Sequence, residues 1–221
     1  MNSVPSSPDP DSRPPAGSTR GDRRRSAVPT LSIGSLDDVA PGSLLVAMPG
    51  MSDDGFTASV VFVLDHADTG TLGVVLGQPS EVEIRDVLPG WADLAVEPGV
   101  FHVGGPCEAD TALCLAVSRG GEHELPGLRS VTAGVHLIDL DADPQSLAGE
   151  LTGLRVFAGY AGWSSGQLAG ELAEGAWACV PGRPDDILTS TSGSTLWRSV
   201  LRRQTGRLAV LASAALDPSA N

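Results

Sequence analysis

Few residues of this chain have the type and spacing to do chemistry. Gly162-Trp163-Ser164-Ser165-Gly166 spells G-x-S-x-G, the pattern of a nucleophile elbow, where a serine on a sharp strand-to-helix turn exposes its hydroxyl. In that arrangement the histidine base follows the serine along the chain, and the last histidine here is His136. Ser164 also precedes Gln167 at the S-x-x-Q spacing of a capping box, and we assign it to capping a helix rather than to attack on a substrate. The four histidines (His66, His102, His123, His136) and three cysteines (Cys107, Cys114, Cys179) include no H-x-x-x-H or C-x-x-C pair, so no metal site and no cofactor is expected. His66, just after Asp65, remains as the catalytic candidate. Acids brought near it by the fold would make it a general base for hydrolysis, and the same position suits an imidazole that caps a turn.

Other features are structural or binding signals. No basic residue adjoins Cys107 to activate its thiol, so all three cysteines read as buried and inert. Gly104-Gly105-Pro106 could offer backbone N–H groups to an anion or form a tight turn. Tyr160, Trp163, Trp177 and Trp197 read as packing aromatics. The alternative is a shallow groove for a peptide or small molecule, rimmed by Tyr160, Trp163 and Gln167.

Composition excludes more than it proposes. All 14 basic residues are arginine, which removes a Schiff-base lysine, a Walker-A lysine and a Ser-Lys dyad. The net charge is −13 and lies wholly beyond residue 38, so the body reads against direct DNA binding. An odd cysteine count fits a reducing compartment. No apolar run is long enough to span a bilayer, and no apolar stretch after Met1 marks a signal peptide.

The elements that must position these residues follow from periodicity. Residues 1–38, rich in Pro, Ser, Arg and Asp, are expected to be a disordered tail, with Arg23-Arg24-Arg25 as a solvated basic spot. A body over 39–215 and a short tail over 216–221 follow. Strands are predicted at 43–48, 59–65, 72–76, 100–103, 112–117, 135–138, 154–157 and 176–180, with His66–Thr71 as a hairpin loop. Helices are predicted at 84–88, at 143–151 behind Asp143-Pro144, at 164–174 and at 195–207, the last with a solvated arginine surface. Between strand 154–157 and helix 164–174 the glycines read as a bent corner carrying Tyr160 and Trp163. The order predicts one α+β domain, a mixed and mostly antiparallel sheet with flanking helices.

Several motifs together resemble the YqgE/AlgH family of bacterial proteins. They are Gly42-Ser43-Leu44-Leu45-Val46-Ala47 with Pro49, then Phe56 and the 59–65 strand to His66, then Gly70, Gly73 and Pro79. Gly104-Gly105-Pro106, Gly159-Tyr160-Ala161-Gly162-Trp163, Gly166-Gln167-Leu168, Glu171, Trp177 and Trp197 complete the set. The resemblance covers about residues 40–215. It implies an α+β fold in the bacterial cytoplasm and no established active site, and it carries a proposed transcriptional-regulator role. This chain shows no helix-turn-helix to serve that role. It also has Gly77 where the family pattern has Asn, and Leu113-Cys114 where the pattern has Leu-His. The expectation is a non-catalytic regulatory or binding module. Its surface would comprise Gly104, Gly105, Pro106, Tyr160, Trp163 and Gln167, and its partner would be an unidentified protein or small molecule.

Overall fold

Alternating and continuous apolar runs dictate most of the architecture. A computed structural model describes residues 35–51, 55–120 and 126–213. The chain first forms a 3-10 turn (Leu36–Asp38), then strands β1 (Ser43–Ala47), β2 (Val60–Ala67), β3 (Gly70–Val75) and β4 (Pro79–Glu83). Helix α1 (Ile84–Val87), a second 3-10 turn (Pro89–Leu94), β5 (Val100–Val103), β6 (Cys107–Ser118), β7 (Leu128–Thr132) and β8 (Val135–Ile138) follow. The chain continues with α2 (Pro144–Leu147), β9 (Leu151–Ser164), α3 (Gln167–Ala173), β10 (Trp177–Pro181), α4 (Pro184–Leu188), α5 (Gly193–Arg202) and α6 (Arg207–Leu211).

The strands form one sheet in the order β10-β1-β2-β3-β9-β6-β8-β7, with β4 paired to β5 and β5 joined in parallel to β9. All other pairings are antiparallel. The sheet curls until Thr132 of β7 sits against Gly42 at the head of β1, where an added Cβ would lie 2.8 Å from the threonine methyl. Period-two alternation explains the two faces. Leu44, Val46, Val60, Phe62, Leu64, Val74, Leu115 and Val117 point inward, with Trp197, Val200 and Leu201 of α5 filling the hollow. Leu45, Ala47, Val61 and Val63 point outward under α3, and Cys114, Ala116, Leu154 and Val156 point outward beneath α1 and α2.

The long strand β9 replaces the predicted bent corner. Its residues up to Ala158 pair with β6, and Ala161–Ser164 pair with β3. Between them Gly159 adopts a left-handed φ of 70° at a break in the β6–β9 register. Across this break β6 advances five residues, from Cys107 to Ala112, while β9 advances two, and the alternation of β9 changes face at the left-handed glycine. Phe157 therefore faces the inner core, whereas Ala161 and Trp163 face the outer layer under α3.

The α+β class holds, and the helices are short caps on a dominant sheet rather than flanking layers. Helix α2 stops after Leu147, although Asp143 caps it as expected by accepting from the Gln145 N–H at 3.0 Å. The predicted helix 195–207 divides into α5 and α6 around Gly206, at φ 63°. Its arginine surface is not uniformly solvated, because Arg203 makes a bidentate ion pair with buried Asp186. Strands β4 and β7 and helix α4 lack a strong apolar period and are additions to the sequence reading. The hairpin is tighter than predicted. His66 lies inside β2 and Thr71 inside β3, leaving Asp68-Thr69 as the loop. Residues 1–34 of the expected tail, with Arg23-Arg24-Arg25, lie outside the described residues, as do His123 and residues 216–221. Among the described residues no helix is long and apolar enough to cross a membrane.

Candidate functional site

The end of β9, helix α3 and the start of β10 bring two tryptophans to one carboxylate. Trp163 and Trp177 are 6% and 2% exposed. Their indole N–H groups both donate to Glu171 Oε2, at 2.8 and 2.7 Å. Gln167 donates through Nε2 to Glu171 Oε1 at 3.0 Å, across the i to i+4 spacing of α3. The Gln167 Oε1 in turn accepts from the backbone N–H of Ser164 at 3.1 Å and from its hydroxyl at 3.2 Å. The predicted cap is thus inverted. Gln167 reaches back to Ser164, while the helix N-cap is Gly166 in the left-handed region with no side-chain cap. Buried indole N–H groups need an acceptor, and Glu171 supplies one for both.

Phe56 completes the aromatic cluster. Its ring centroid lies 5.6 Å from Trp177 and 6.5 Å from Trp163, and the two indoles stand 5.7 Å apart at 82°. Beside these rings a groove of about 320 Å³ is lined by Phe56, Pro106, Trp163, Gln167, Glu171 and Trp177, among others. Its size suits a small molecule or one side chain of a partner.

The predicted surface is divided by the structure. Pro106, Trp163 and Gln167 line this groove. Gly104 and Gly105 do not, because they serve close backbone approach. A Cβ on Gly104 would lie 2.2 Å from the Gly159 carbonyl oxygen, and one on Gly105 would lie 2.2 Å from the Tyr160 carbonyl carbon. The Gly104 N–H is spent on the Ala158 carbonyl at 2.8 Å and its own carbonyl accepts from Val75 at 2.7 Å, which leaves that amide none to offer an anion. Tyr160 faces a separate, open depression with Asp65, Thr69 and Cys107. There a hydrogen bond to Glu108 is the main cause of a raised phenol pKa.

His66 occupies a third place, a cleft of about 250 Å³ shared with Thr71, Ser164 and Ser165. Its Nδ1 stands 2.7 Å from the Thr71 hydroxyl. Among the described residues no carboxylate hydrogen-bonds to this imidazole, so the base lacks the orienting acid of a triad. Ser164 spends its hydroxyl on Gln167. Among the described residues no three His, Cys, Asp or Glu side chains gather as a metal site.

Cys107 and Cys179 are half-buried, contrary to the expectation of three buried thiols. Cys114 is buried among Ala116 and Val156, and desolvation pushes its pKa up to about 12. Gly77 has φ 72°, the left-handed region that glycine favours, and a Cβ there would lie 2.8 Å from Leu196 Cδ2.

Sequence reasoning missed the focal role of Glu171. The available signal was its i to i+4 spacing from Gln167 between two tryptophans. It also missed a buried polar pair behind the sheet. Arg155, 2% exposed, donates to the carbonyls of Ile187, Glu97, Leu188 and Thr189 at 2.9 to 3.3 Å and to His102 Nε2. Burial, aided by the Arg155 charge, lowers the His102 pKa to about 4. The ring is therefore neutral, with its proton on Nδ1, which has no partner.

Comparison with known proteins gives a consistent set of matches. A family model described as AlgH-like matches residues 44–209. A UPF0301 protein of Streptomyces avermitilis is 50% identical over 183 residues, covering 81% of this chain and 94% of that protein. A UPF0301 protein of Mycobacterium tuberculosis is 44% identical over 194 residues, covering 84% and 96%. A Corynebacterium diphtheriae protein of known crystal structure superposes with a TM-score of 0.74 at 32% identity, covering 80% of this chain and 93% of that one. The solution structure of the AlgH protein from Pseudomonas aeruginosa superposes with a TM-score of 0.58 at 23% identity, covering 79% and 94%, and shows the same fold.

Proposed function

This chain belongs to the AlgH-like family, and from that premise we propose that it is a non-catalytic regulatory or binding module whose ligand docks in the groove of Trp163, Glu171 and Trp177. The observation that carries this reading is the shared carboxylate. Two buried indoles and Gln167 fix Glu171 beside an aromatic groove. A rigid polar group in a concave apolar wall is what a recognition site requires. It is not what bond-making requires, because among the described lining residues no nucleophile and base stand together in the groove.

The hydrolase alternative rests on His66 and its 2.7 Å contact to Thr71. Among the described residues no carboxylate hydrogen-bonds to this imidazole to orient it as a base. Direct DNA reading finds little support in a body that carries the whole −13 charge. We place the protein's action in the bacterial cytoplasm, on an unidentified protein or small-molecule partner.

The test is a ¹⁵N-resolved NMR screen of the protein against a chemically varied fragment library. The reading expects hits that shift the indole N–H signals of Trp163 and Trp177 and the Gln167 side chain, and that weaken in Gln167→Ala. Gln167 is exposed, so this variant should keep the fold. Hits confined to the His66 cleft, or none at the groove, would refute it.

A further inference from the structure

Among the described residues Glu171 has no ion-pair partner. Its oxygens accept from three neutral donors. Among the described residues the ion pairs are Arg85–Glu83 and Arg203–Asp186, neither of which touches it. The walls beside it reinforce the sign. An aromatic ring is negative on its faces and positive at its edge. Trp163 and Trp177 commit the positive N–H edge of each indole to the carboxylate, so their hydrogen-bonding edge is not left to a ligand. Phe56 is half-buried and adds a third ring at the same groove. The chain's net charge of −13 adds a long-range field of the same sign.

A carboxylate with no ion-pair partner among the described residues, beside the half-buried ring of Phe56, is complementary to a soft, weakly hydrated cation, which gains from both the charge and that ring's quadrupole, while the buried Trp163 and Trp177 back the wall. We propose that this groove binds a small organic cation, a methylated ammonium group on a short tail. The proposal rests on reading the groove as the binding site. The volume, about 320 Å³, admits a ligand of that size. An anionic ligand would meet the Glu171 charge, and among the described lining residues no arginine offsets it.

The experiment uses the full chain, choline as probe, and 3,3-dimethyl-1-butanol as its uncharged isostere, with sodium chloride as an ionic-strength control. Binding is followed by the indole N–H resonances of Trp163 and Trp177. Choline is expected to shift both in a saturable way, and the isostere to bind about tenfold more weakly, since the shape is shared and only the charge differs. Glu171→Gln should weaken choline by a similar factor and leave the isostere unchanged. Equal affinity for choline and the isostere in the wild-type protein would overturn the cation assignment while preserving the groove as a site. Silence of both indoles up to tens of millimolar choline would also overturn it. The fragment screen separately decides whether the groove binds anything.

Discussion

Replacing His102 with Gln should remove a defined piece of the protein's acid sensitivity. His102 is 2% exposed and accepts a hydrogen bond from Arg155 through Nε2. Protonating that nitrogen would destroy the bond and set two cations side by side in the core. Desolvation first, and the Arg155 charge second, hold the imidazole pKa at about 4 rather than 6.5. The native state therefore binds fewer protons than the unfolded chain between these values. The stabilisation is complete above the unfolded value of 6.5 and declines as pH falls towards about 4, below which it levels off. With 1.36 kcal/mol per pKa unit, the loss is about 1.4 kcal/mol at pH 5.5 and about 3 kcal/mol at pH 4. Burial also lowers the His136 pKa, so His136 adds to the wild-type slope with the same sign. The comparison with His102→Gln isolates His102, because the Gln amide oxygen can occupy the Nε2 position and still accept from Arg155. The assay is urea unfolding at intervals from pH 7 down to pH 4, followed by tryptophan fluorescence. The variant is expected to show a shallower fall by about the amounts above, whatever its stability at pH 7. Parallel wild-type and variant profiles across this range would refute the neutral, arginine-bound assignment of His102.

Three further outcomes follow from the packing. Glu171→Ala strands two buried indole N–H groups and should cost about 2–4 kcal/mol in urea unfolding, so a loss under about 1 kcal/mol would mean that water replaces the carboxylate at little cost. Gly105→Ala forces a Cβ to 2.2 Å from the Tyr160 carbonyl carbon at φ 150° and should abolish soluble folding, whereas Gly90→Ala, with 3.5 Å of clearance from Pro144, should change stability by under about 1 kcal/mol. Arg203→Ala leaves the Asp186 carboxylate buried and unpaired and should cost about 3–5 kcal/mol by the same assay, with Arg203→Lys recovering part of it.

What the sequence alone determined was local. The apolar run from Val60 to Leu64 forced a strand buried on both faces. Asp143-Pro144 forced a helix start, and the motif set from Gly42 to Trp197 identified the family. The strand and helix-start signals each lie within a few residues, where backbone sterics, capping and period-two alternation operate without knowledge of the rest of the fold. The glycine-rich stretch misled for an equally physical reason. Glycine permits a turn and a bulge alike, and only the pairing of β9 with β6 on both sides of Gly159, continued by β3 from Ala161, selects the bulge. That choice turned Trp163 from the rim of a corner into the outer layer beneath α3. The tertiary structure alone put Trp177 and Trp163 on one oxygen of Glu171, and Arg155 against a histidine 53 positions earlier. Such meetings depend on strand order and on which face each residue finally takes, and a left-handed residue at a register break reverses that face without leaving a distinct mark in composition or spacing.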